Sequence, residues 1–189
     1  GVINVSVAGA KIELWGKETY KNYLEKEAAD WMKNICKVYD GNPFQRLVDM
    51  AKIAQKDGVI KGILLHQGES NSIDKEWPNK VKAIYDDLCK DLNLKPEETP
   101  FLAGELKSKE ENGVCYAFNT DILPNLPKVL PNAHIISSKG LKGTGDQFHF
   151  NTAGMRELGK RFAQEMLKIQ GFEFKDVESP GILKTPETQ

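Results

Sequence analysis

Two periods of apolar residues alternate along this chain. Val2–Val7, Val59–Leu65, Phe101–Gly104 and His134–Ser137 are short apolar or β-branched runs, the signature of buried strands. Between them lie stretches with a 3.6-residue repeat. Tyr20–Val38 has neither Pro nor Gly and reads as one long helix. Asn42-Pro43 reads as N-cap and first turn of the next, with Phe44, Leu47, Val48, Ala51 and Ala54 on one face. Pro78 opens a helix striped by Val81, Ile84, Tyr85, Leu88 and Leu92. A last helix starts at Asn151 or Thr152, turns Met155, Leu158, Phe162 and Met166 inward, and stops at Gly171. Strands separated by helices run parallel, because each crossover lays a helix on a sheet face. The expected fold is α/β, a three-layer α/β/α sandwich with a mainly parallel sheet. Residues 1–170 form its one domain. Residues 171–189, broken by Ser179-Pro180-Gly181 and Thr185-Pro186, form a tail that wraps the surface or is disordered.

Composition narrows the function classes. The 189 residues carry 26 Lys+Arg against 27 Asp+Glu, a net charge of −1, so no cationic excess is available to neutralise a nucleic acid backbone. No apolar run approaches the roughly 18 residues that span a bilayer. Cys36, Cys89 and Cys115 are too scattered for a disulfide framework or a metal site and read as small buried thiols. His66, His134 and His149 show no ligand spacing, so neither a metal nor an organic cofactor is expected. The chain starts without Met and directly on an apolar run, and is read as a piece of something longer.

In open parallel sheets the chemistry sits beyond the C-terminal strand ends. Beyond the first run stands Gly9-Ala10-Lys11-Ile12-Glu13-Leu14-Trp15, where Gly9 is either an ordinary tight turn or a free backbone N–H beside a ligand. Beyond the second stands His66-Gln67-Gly68-Glu69-Ser70-Asn71, five polar side chains in six. Gln67 has an amide suited to a developing oxyanion and Glu69 an acceptor for a substrate hydroxyl. The plainer reading is a solvated loop capped by Ser70 or Asn71. Ahead of the last helix, Asp146 and His149 stand three apart, a spacing at which a carboxylate reaches an imidazole and fixes its tautomer. Alone, this pair is a common accident. Lys107–Glu111 reads as a solvated charged loop, and Trp15, Trp31 and Trp77 as packing residues, with Trp15 and Trp77 placed to line a cleft.

The three blocks, in this order, resemble the SGNH (GDSL-like) hydrolases, most closely the branch of acetyl xylan esterases and sialate O-acetylesterases. The resemblance covers about residues 1–170 and rests chiefly on His66-Gln67-Gly68-Glu69-Ser70. It implies a flavodoxin-like sheet and a carbohydrate esterase, with xylan or another acetylated glycan as substrate. It implies His149 as general base, Asp146 as its orienting carboxylate, Gly9 and Gln67 as oxyanion donors, and Glu69 and Asn71 on the substrate side. It also suggests a secreted or periplasmic protein.

One element of the family pattern is missing. The Gly-x-Ser nucleophile block that follows the family's first strand has no counterpart among Ser6, Ser70, Ser72, Ser108, Ser137, Ser138 and Ser179. The expectation is that this strand and serine belong to an upstream segment or a companion chain. This chain then supplies the Asp/His pair and the oxyanion groups and depends on that partner for stability. The rivals are a non-catalytic carbohydrate-binding domain on the same fold and a lipid or thioester hydrolase. A nucleotide-binding protein is disfavoured, since neither Gly-x-Gly-x-x-Gly nor a P-loop occurs.

Overall fold

A computed structural model describes residues 1–173; the sequence reading of the tail beyond Glu173 lies outside them. Three parallel strands, β1 (Ile63–Leu65), β2 (Phe101–Gly104) and β3 (Ala133–Ile136), form one sheet in chain order, with Leu64 opposite Leu102 and Leu102 opposite His134. Seven helices accompany them in the described residues: α1 (Tyr20–Lys26), α2 (Asp30–Lys37), α3 (Pro43–Ala54), α4 (Trp77–Leu92), α5 (Ala117–Asp121), α6 (Leu126–Val129) and α7 (Thr152–Ile169). The three-layer expectation holds because alternate strand residues face opposite ways. Phe101, Ala103 and Ala133 pack against Val81, Tyr85 and Cys89 of α4 and Leu126 of α6. Leu102 and Ile136 pack on the other side against Leu158 and Phe162 of α7.

Local signals act as their chemistry dictates. The Asn42 side chain accepts the Gln45 N–H at 3.0 Å, capping α3 above Pro43. The Asn151 side chain caps α7 through the Gly154 N–H at 2.9 Å. Asn93 ends α4 in the left-handed region.

Four expectations are corrected. The Val2–Val7 run is not a strand: its backbone finds no ladder partner among the described residues, and Val2 is 81% exposed. The second strand shortens from Val59–Leu65 to three residues, the stretch that β2 reaches. The long helix breaks at Glu27–Ala29 into α1 and α2. Tyr23 and Met32 explain the break. Nine residues apart they would sit on opposite faces of one helix, at about 100° per residue. The break lets both enter a single cluster with Val7, Ala10, Leu14 and Cys36, where the Tyr23 hydroxyl donates to Met32 Sδ at 3.2 Å. Lastly, Met155 is 48% exposed; in the first turn of α7 Gly154 faces inward instead, pressed against the Lys142 carbonyl.

Candidate active site

All three strands end on the same side of the sheet, and the segments that follow them interlock. After β1, His66 lies with its ring 5.9 Å from that of Phe150, the residue following His149. His66 is exposed on one side, but the protein packed against its imidazole, with Nδ1 directly over Gly104, desolvates the cation and depresses the pKa below the ordinary 6.5; the Glu69 carboxylate acts in the opposite direction. Gly68 has no room for a side chain: a Cβ would stand 2.7 Å from Cε1 and Cζ of Phe118. Glu69 accepts no hydrogen bond on its carboxylate among the described residues, which leaves it open to a ligand.

Gln67 and Asn71 are both committed to the protein. The Gln67 amide donates to Asn71 Oδ1 at 2.8 Å and to the Ala10 carbonyl at 3.2 Å, while its oxygen accepts the Trp77 indole N–H at 2.6 Å. Asn71, expected on the substrate side, is 4% exposed. Its oxygen accepts from the Ile12 N–H as well as from Gln67, and its amide donates to Glu13 and Asp74 at 3.1 and 3.2 Å. With both its acceptor and donor sites spent internally, it offers nothing to a ligand and acts as the hub of the loop. Lys80 closes the network with Glu13 at 2.6 Å and Asp74 at 2.7 Å. Burial alone would raise both acids, but the bonds from Lys80 and Asn71 outweigh it and hold them below their usual values.

Gly9 is brought to this loop by the Ser70 hydroxyl, which donates to its carbonyl at 2.7 Å. Its φ of +66° is a left-handed conformation that glycine adopts without penalty, and its N–H has no acceptor among the described residues. A Cβ there would lie 3.5 Å from the Trp31 ring, which is 53% exposed. Trp31 is therefore at the surface beside Gly9. Trp77, by contrast, is wholly buried against Phe118, edge-on at 4.9 Å.

Asp146 and His149 meet on the third segment. Asp146 Oδ2 lies 2.8 Å from His149 Nδ1, while its other oxygen accepts the backbone N–H groups of Phe148 and His149, each at 2.7 Å. The His149 N–H, then the His149 ring, then the Phe148 N–H hold this carboxyl well below the usual carboxylate range. A carboxylate on Nδ1 keeps the proton there and leaves the Nε2 lone pair free. The hairpin carrying the pair is closed by the Thr144 N–H to the His149 carbonyl at 2.9 Å and the Asn151 N–H to Lys142 at 3.0 Å. His134 stands within β3, 3.2 Å from Glu165 of α7.

A bridge between the first two groups and this hairpin is the segment following β2. The Val114 N–H donates to Gln147 O at 3.2 Å, and Cys115 Sγ donates to Glu69 O at 3.8 Å. Within the same segment Lys107 is 2% exposed, which corrects its reading as a solvated charge. A basic residue in a Lys/Glu run gives no sequence sign of burial; the apolar Leu106 before it and Gly113 after it were the available hints. No serine hydroxyl among the described residues is hydrogen-bonded to His149, and the Ser70 hydroxyl is held by Gly9.

A family model described as carbohydrate esterase, sialic acid-specific acetylesterase, matches residues 1–168. Among solved structures, an X-ray structure of an Arabidopsis thaliana protein superposes with a TM-score of 0.58 at 22% identity, covering 85% of this chain. That likeness is one of fold. The chain spans 57% of the Arabidopsis protein's length.

Proposed function

The chain belongs to the sialic acid-specific acetylesterase family of carbohydrate esterases, and on that premise we propose that it takes part in removing O-acetyl groups from a glycan by serine-esterase chemistry. The observation that carries the reading is the Asp146–His149 contact at 2.8 Å, with the carboxylate aimed by two backbone N–H groups. His149 Nε2 takes the proton of a serine hydroxyl as that oxygen bonds to the acetyl carbon. Asp146 stabilises the imidazolium so formed. The N–H of Gly9 donates to the oxyanion. Gln67 joins it by giving up the longer of its two bonds, the one to Ala10 at 3.2 Å. The carbon–oxygen bond to the sugar breaks, and His149 returns its proton to the departing hydroxyl. Water then repeats the cycle against the acyl-serine and releases acetate. Glu69, with its carboxylate open, accepts from a sugar hydroxyl.

The nucleophile comes from an upstream segment or a companion chain. The outer edge of β1 supports this: it has no neighbouring strand among the described residues, and Leu64 is 49% exposed on the face that α7 covers further along the sheet. A strand laid along β1 would pair that edge, cover Leu64, and end at the level of Gly9 and Gln67. The family description favours acetylated sialic acid as the sugar, and acetylated xylan is the other substrate to assay. Replacing His149 by Ala in the intact protein is expected to lower acetate release from either substrate by several orders of magnitude, with fluorophosphonate labelling of the serine lost in parallel. Near-normal hydrolysis in that variant would overturn the assignment. Glycan binding without acetate release by the unaltered protein would favour a carbohydrate-binding domain.

A further inference from the structure

Lys107 is the one charged residue in the described core, and no carboxylate is hydrogen-bonded to it. Its Nζ donates to two backbone carbonyls of the hairpin, Thr144 O at 3.2 Å and Asp146 O. Glu111 feels the charge of Lys107, but its own carboxylate is bound to Lys142 and the Gly143 N–H at 2.7 and 3.3 Å. Two glycines create the space. A Cβ on Gly143 would fall 2.1 Å from Lys107 Cε and 2.3 Å from Nζ, and one on Gly113 would fall 2.1 Å from the Lys107 carbonyl oxygen. Sequestering an ammonium from water is costly, and the bonds to the two hairpin carbonyls are what offset that cost here.

From this geometry we infer that Lys107 is a positioning residue for the Asp146–His149 pair. The peptide unit is planar and trans, so a fixed carbonyl aims the N–H of its own peptide the opposite way. Lys107 fixes the carbonyl of Asp146. The Val114 N–H fixes that of Gln147, whose peptide partner is the Phe148 N–H bonded to the Asp146 carboxylate. Two successive peptides are thus clamped from below, and the clamp sets the direction in which Asp146 presents its second oxygen to His149. The inference rests on His149 being the base of the proposed reaction.

Two variants of the intact protein test it. Lys107→Met keeps the bulk and removes the charge; Gly143→Ala keeps the charge and displaces it. In both, the amides of Phe148 and His149 are expected to exchange with solvent about tenfold faster, while amides of β2 and α4 stay within about twofold. The downfield proton of His149 Nδ1 is expected to broaden or vanish. In turnover, kcat falls by about 10²-fold with KM unchanged, the signature of a misplaced rather than a missing group. Unchanged exchange at 148 and 149 with an intact Nδ1 signal would overturn the inference. So would acceleration spread evenly through β2 and α4, which would make Lys107 a packing residue only. The exchange and proton readouts need no substrate, so their failure is distinguishable from failure of the esterase reading.

Discussion

Asn71 Oδ1 accepts the backbone N–H of Ile12 at 2.9 Å across 59 residues of sequence, joining the Gly9 segment to the loop after β1. The same oxygen accepts from the Gln67 amide, so one carboxamide ties together the two segments that carry the oxyanion groups.

Replacing Asn71 by Ala strips the buried Ile12 N–H of its acceptor and leaves Glu13 and Asp74 without its donated bonds, with Lys80 as their remaining shared partner. A stability loss of about 2–4 kcal/mol is expected, read by urea denaturation. Asn71→Asp is the sharper test. It has the same shape, but it replaces two donors with a charge near two carboxylates, so it should be the worse of the two at pH 7. It should also recover as acid protonates the cluster. Equal stability of Asp and wild type at neutral pH would contradict the hub.

Gly68→Ala should destabilise by about 1–3 kcal/mol, because the new methyl meets a Phe118 ring that cannot retreat. Phe118 is wholly buried against Trp77, and Trp77 holds Gln67, so the displacement also reaches the candidate oxyanion donor. Gly159 is the control. It lies in α7 with open space around its Cβ position, and Gly159→Ala should stabilise by roughly 0.5–1 kcal/mol. Both values are accessible from the same denaturation series.

The depressed imidazole of His66 makes a prediction about acid. Below the ordinary value of 6.5 the unfolded chain takes up a proton that the folded chain resists, so stability falls as pH drops from 6.5 toward the lowered native pKa. His66→Gln removes that linkage. Between pH 8 and pH 5 the Tm of the wild type should fall relative to that of the variant. Parallel Tm curves would show that His66 titrates normally.

How far could the sequence be read? The three strands, the caps at Asn42 and Asn151, and the stripes of α3 and α4 all follow from local chemistry, although the strand expected over Val59–Leu65 forms only in its last three residues. The misreadings share a cause. Val2–Val7 has the composition of a strand, but a strand also needs a neighbour, which composition does not report. The break between α1 and α2 serves a cluster drawn from both sides of the chain. Asn71 and Lys107 are polar residues inside, and whether a polar side chain is spent on the protein or offered to a ligand depends on partners far away in sequence. The Asp146–His149 contact was legible because both members and their geometry lie within four residues.

The fit of Lys107 between Gly113 and Gly143 bears on how this site can diverge. Any change at position 143 that adds a side chain collides with the lysine, whereas shortening the lysine first makes room for it. Of the possible two-step routes between the present trio and an apolar equivalent, the one that alters 107 before 143 meets no lysine, whereas the reverse order must push the end of the lysine aside. The favoured order of substitution is thus written into a pair of interatomic distances, and related sequences should carry bulk at position 143 more often where the long cation has gone.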